Sequence, residues 1–148
     1  MKVLATLVLS SSAFVFATPA AAQFQKPEDA IKYRQGAMFV KGQHLGRIGA
    51  MVNGRVPFNA KLAAENADVV AMMAGLVLPG YGPGTEGGKA KPEIWKDQTK
   101  FKELADAGLA EAVKLAAAAK TGDLDNVKAA FGAAAETCKS CHDAFRSK

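Results

Sequence analysis

Cys138-Lys139-Ser140-Cys141-His142 concentrates more chemistry than any other stretch of the chain: two thiols three positions apart, then an imidazole. On a helix, residues i and i+3 share a face about 5–6 Å apart. Two thiols so placed can add to neighbouring vinyl groups of one porphyrin, and the histidine that follows can set a ring nitrogen on its iron. C-x-x-C-H is the attachment signature of c-type haem for that reason. Other chemistries use only part of the motif. A Cys138–Cys141 disulfide would close too small a loop to constrain the unfolded chain much, and a thioredoxin-like redox pair wants a βαβ context that this sequence lacks. A zinc site needs two further ligands, and His44 is the only other histidine. Buried structural thiols leave the adjacent imidazole without a role. One covalent haem c accounts for all three side chains.

The elements that must carry this motif are helical. The chain has 148 residues, 49% apolar, 22% charged and 7% aromatic, with a formal charge of +5, which describes one domain with a mildly basic surface. A disordered tail, a collagenous chain and a disulfide-dense scaffold are excluded. Alanine is abundant and β-branched runs are scarce, which favours helix over strand. Residues 1–22 read as a secretory signal, with a basic start at Lys2, an apolar centre, and small residues at Ala20 and Ala22 before cleavage at Gln23. Ser10 to Ser12 interrupt a segment already too short to anchor in a bilayer. The expected mature domain is therefore residues 23–148, exported to a periplasm, with no further stretch expected to span a membrane.

Four helical segments are predicted, bounded by Gly and Pro: from near Pro27 to Asn53-Gly54, from about Asn59 to Gly75, from Pro92 or Asp97 to Lys120, and from Leu124 onward. Ile31, Arg34, Met38, Lys41, Leu45, Ile48 and Val52 form a 3-4 seam on the first; Leu124, Val127, Phe131, Ala134, Cys138, Cys141 and Phe145 form another on the last. Leu78 to Pro92 reads as a Gly/Pro-rich loop. The fold class is all-α, an antiparallel four-helix bundle. Much of its core is Ala and Gly, so a bulky group, the haem, completes it. Trp95, Phe101, Phe131 and Phe145 are expected as core walls and haem edges. Arg34 interrupts an apolar seam, which is costly unless the guanidinium finds an anion; a haem propionate suits it, while snorkelling to solvent or pairing with Glu28 are the alternatives.

A C-x-x-C-H near the C-terminus of a four-helix chain resembles the class II c-type cytochromes, specifically the cytochrome c′ family. The resemblance spans residues 23–148. It is carried by Lys26-Pro27-Glu28-Asp29, Tyr33-Arg34-Gln35 with Met38, Gly54-Arg55-Val56-Pro57-Phe58, Gly82-Pro83-Gly84-Thr85, Lys91-Pro92-Glu93-Ile94-Trp95, and Cys138 through Arg146. It implies thioether bonds from Cys138 and Cys141, and His142 as sole protein ligand to a five-coordinate iron. It also implies Met38 packed over the distal face, Arg34 at the propionates with Gln35 at the same edge, and Arg146 near the proximal pocket. Class II also contains low-spin electron carriers in which a methionine at this position ligates iron; the residues leave His142/Met38 ligation open as the alternative.

The function implied is a periplasmic haem protein that binds NO and CO, takes part in electron transfer with redox partner proteins, and pairs as a homodimer through its first two helices. With few hydrogen-bond donors expected on the distal face, bound dioxygen gains little. Gly42, Gly46 and Gly49 are expected to admit another helix or subunit more readily than the haem, and His44 is expected at the surface without a partner. The lysines are scattered among acids with no aromatic platform, so nucleic acid is not indicated. No Ser-His-Asp set, paired-carboxylate site or phosphate loop appears, and no enzymatic activity is expected.

Overall fold

The computed structural model describes residues 23–148; the expected signal, residues 1–22, lies outside the described residues. Helix α1 spans Pro27–Val52, with Pro at its first turn and Glu28 and Asp29 at its positive end. It stops where the Asn53 side chain donates to the Gly49 carbonyl (2.7 Å) and Gly54 adopts φ 67°. Helix α2, Ala60–Ala74, is capped by the Asn59 side chain, which accepts from the Leu62 amide. A short 3-10 turn at Leu78–Tyr81 and a one-turn helix α3, Glu93–Lys96, interrupt the long connection. Helix α4, Gln98–Lys120, begins at an Asp97 cap, and α5, Leu124–Phe145, at an Asp123 cap. The predicted boundaries fall within a residue or two of these, because each break carries its own cap or glycine.

The four long helices form the antiparallel bundle. α1 packs on α2, α2 on α4 and α4 on α5, whereas α1 and α5 barely meet. Small residues close one end: Ile48, Val52, Ala67, Val70, Ala112, Leu115, Ala119, Val127 and Ala134 form a continuous buried cluster. Phe131 of α5 reaches α1 over Gly49, where an added Cβ would stand 3.0 Å from the ring. At the other end a separate aromatic cluster, Val77, Ile94, Phe101 and Phe145 with Tyr81 and Trp95 against it, leaves α1 and α5 apart. The bundle is thus packed shut at one end and open along the α1–α5 seam at the other.

One sequence expectation changes here. Ala60–Tyr81 is long and apolar enough to cross a membrane by length and composition. Physically it is no single helix, since α2 ends at Ala74 and the 3-10 turn follows. Its Ala and Val side chains supply the core between α1 and α4.

Candidate functional site

A cleft of about 460 Å³ occupies the gap between α1 and α5, within the size range of small-molecule and cofactor sites. Arg34, Gln35, Met38, Lys41 and Gly42 line it from α1; Cys138, Cys141, His142, Phe145 and Arg146 from the last turns of the chain. Tyr81 and Phe101, with ring centroids 4.7 Å apart, and Phe145, set edge-on to Phe101 at 5.4 Å, build the aromatic wall. Beside it lies a narrower apolar space of about 40 Å³, faced by Leu45, Val70, Leu104 and Leu109 and shared by Met38, Lys41, Cys138, Cys141 and His142.

The groups in the cleft suit a covalently held porphyrin. Both thiols are free and half-buried. Among the described residues no three His, Cys, Asp or Glu side chains converge as a group that could hold a metal ion. Burial, reinforced by the charges of Arg146 and Lys41, holds the His142 imidazole below its ordinary pKa, so the ring is neutral near pH 7, the form that ligates a metal. Burial likewise pushes the Cys141 thiol up, against the pull of Lys41. The cleft lining carries Arg34, Lys41, Lys89 and Arg146 and no carboxylate, a charge pattern matched to the two propionates of a haem.

Several predicted residues occupy different settings from those expected. Arg34 is buried at 4% exposure, and its guanidinium is engaged by the long loop rather than solvent. Nη1 donates to the carbonyls of Gly80 (2.8 Å) and Thr85 (2.6 Å), and Nη2 to that of Gly87 (2.7 Å). Three of its five N–H groups are used, leaving two for an anion in the cleft. The plane lies 4.8 Å from the Tyr81 ring centroid and 5.5 Å from that of Trp95. Trp95 stands behind Arg34 and does not line the cleft; its indole N–H donates to the Gly82 carbonyl (2.9 Å). Gln35, Met38, Phe101, Phe145 and Arg146 do line it. Gly42 lines it too, against the expectation that these glycines lie beyond the haem, because it is one turn from Met38 on the same side of α1.

His44 is not a partnerless surface residue. Its Nδ1 is 2.8 Å from Oδ1 of buried Asn66, whose Nδ2 donates to the Leu62 carbonyl (2.6 Å), a polar link between α1 and α2. Lys41, on the α1 seam and without an assigned role in the sequence reading, lines both the cleft and the space beside it.

Residues 29–146 match the family described as Cytochrome C'. The chain belongs to the cytochrome c′ family. It is 48% identical to cytochrome c′ of Alcaligenes xylosoxydans xylosoxydans, covering 85% of this chain and 99% of the relative. The crystal structure of cytochrome c′ from Rubrivivax gelatinosus superposes with a TM-score of 0.81 at 48% identity, covering 84% of this chain and all of the other. A nitric oxide complex of a variant cytochrome c′ from Alcaligenes xylosoxidans gives 0.82 at 47% identity, covering 85% and 99%. Membership in the cytochrome c′ family brings its cofactor, one covalently attached haem c. The four-helix bundle is the fold of these cytochrome c′ structures.

Proposed function

We propose that this protein is an exported, periplasmic monohaem cytochrome in which Cys138 and Cys141 hold the porphyrin and His142 is the only protein ligand to iron. The observation that carries the reading is the meeting of both thiols, a neutral imidazole and Met38 on one cleft. When bound, the haem supplies an iron with an open position for NO or CO. Met38 would pack over that position without binding it and, with Leu45 and Val77 on the same apolar space, would keep bulk water away. Arg34, with Lys89 and Arg146 on the same cleft, would supply the positive charge that meets the propionates. The nitric oxide complex solved for the Alcaligenes relative supports gas binding. The protein also exchanges electrons with redox partner proteins, and it binds ligands rather than turning over a substrate.

Exposed apolar residues on and beside α1 and α2, Phe39 at 67%, Met72 at 65% and Leu62 at 48%, support a homodimer formed through those two helices. Absorption and electron paramagnetic resonance spectra of the oxidised protein test the coordination: a high-spin signal, with a reduced spectrum that changes on adding NO and CO, is expected. A low-spin oxidised protein indifferent to both gases would overturn the five-coordinate reading in favour of His142/Met38 ligation.

A further inference from the structure

An α-helix leaves its last four carbonyls without a partner inside the helix. Helices α1 and α4 run into glycines in the left-handed region, Gly54 at φ 67° and Gly122 at φ 73°, and so close locally. Helix α5 has no such glycine, and the chain leaves it at Arg146 in an extended conformation, φ −119° and ψ 131°. Its last four carbonyls are those of His142, Asp143, Ala144 and Phe145, so the open end begins at the imidazole of the haem-attachment motif.

One residue from outside the helix closes three of the four. The Lys91 ammonium donates to the carbonyls of Asp143 (3.0 Å) and Ala144 (3.3 Å), and the Lys91 amide to that of Phe145 (3.0 Å). The His142 carbonyl accepts from the Arg146 amide at 2.9 Å. Arg146 in turn pairs antiparallel with Ala90, and the Ser147 amide donates to the Lys89 carbonyl (2.9 Å), which completes the latch. A cation at the negative end of a helix also complements its dipole. Lys91 is itself held in place: its carbonyl accepts from the Ile94 amide (3.2 Å), and the buried Ile94 side chain lies in the cluster that contains Phe145. Helix α1 does not brace this turn, because α1 and α5 barely meet.

We propose that Lys91 is a positioning residue for His142: by closing the end of α5 from the loop, it fixes the backbone that presents the imidazole, and with it the strength of the ring's bond to iron. The proposal rests on the reading of His142 as the iron ligand. Lys91 does not line the cleft, so its contact with the site runs through the last turn of α5.

The test compares the haem-loaded wild type with Lys91→Met, Lys91→Arg and Val127→Ala. Val127 is fully buried at the closed end of the same helix, so its truncation lowers stability with the latch intact. Two quantities are read: amide exchange at positions 91, 146 and 147, and the iron–imidazole vibration of the reduced protein by resonance Raman spectroscopy. In Lys91→Met those amides are expected to exchange about threefold to tenfold faster, as befits loss of a surface cation at a helix end. The iron–imidazole band is expected to broaden and move to lower frequency. Lys91→Arg keeps a cation within reach of the same carbonyls and is expected to restore the band and bring exchange to within about twofold of wild type. Val127→Ala is expected to melt earlier with an unchanged band. Faster exchange in Lys91→Met with the band unmoved would make Lys91 a structural cap and overturn the proposal. Exchange in Lys91→Met within about twofold of wild type, or a band shift that Val127→Ala reproduces, would overturn it equally. A wild type with haem attached and no iron–imidazole band would overturn the reading of His142 as ligand, and the proposal with it.

Discussion

Replacing Arg34 with Met should loosen the long loop before it touches the haem. The guanidinium donates to Gly80 at 2.8 Å, Thr85 at 2.6 Å and Gly87 at 2.7 Å. A hydrogen bond to a charged group contributes about 1.5–3 kcal/mol net. Gly87 is exposed, so water replaces the lost donor there, and only the carbonyls of buried Gly80 and Thr85 are stranded. The Thr85 hydroxyl, 3.4 Å from the Gly80 carbonyl, covers that one weakly. Two stranded acceptors give about 3–6 kcal/mol, and removing a buried cation returns part of it; the expected loss is about 3 kcal/mol. Arg34→Lys keeps the charge but not the fork, so about half that loss is expected. Guanidinium unfolding of the haem-loaded proteins, followed by helical circular dichroism, measures the totals, and amide exchange across residues 80–88 locates them. Should both variants unfold within about 1 kcal/mol of wild type, with exchange in the loop unchanged, Arg34 would not be its anchor.

Two further outcomes follow from neighbours of that arginine. Burial raises the Tyr81 phenol above its ordinary value of 10.0, against the opposing pull of Arg34. Since the unfolded chain ionises first, the contribution of Tyr81 is intact below about pH 10 and is lost as pH climbs through the folded value. Tyr81→Phe should therefore lose less stability than wild type between about pH 9 and pH 11 in matched unfolding curves, and identical slopes would contradict the assignment. An alanine at Gly80 would bring its Cβ to 2.9 Å from the Arg34 Cβ and 3.3 Å from the Tyr33 ring. About 1–3 kcal/mol should be lost in thermal melts, and an unchanged melting temperature would show that the contact relaxes freely.

Local signals made the helices legible in the sequence. Pro27, Asn59, Asp97 and Asp123 each mark a start, and the unbroken 3-4 seam of α5 put Cys138 and Cys141 on its inward face without reference to any other element. Pairings across the fold were not legible. The partners of Arg34 are backbone carbonyls 46 to 53 residues away in a loop without periodicity, and a carbonyl has no residue type to read. His44 and Asn66 lie on separate seams, and only the α1–α2 packing brings them together. Lys41 was visible on its seam, but spacing alone does not tell an inward lysine from one that reaches solvent. Trp95 packs against the aromatic core cluster as its bulk suggests, but the acceptor its indole N–H requires, the Gly82 carbonyl, was not legible.

The C-terminal latch ties the loop that holds Arg34 to the turn that carries Cys141 and His142. The Lys91 amide donates to the Phe145 carbonyl, Ser147 to that of Lys89, and the Lys91 ammonium to Asp143 and Ala144, fastening the long loop to the last turn of α5. In that fastened state Cys141 is a half-buried thiol whose burial favours the protonated form. Loss of the Arg34 anchor and loss of the latch would therefore loosen one and the same connection, from its two ends.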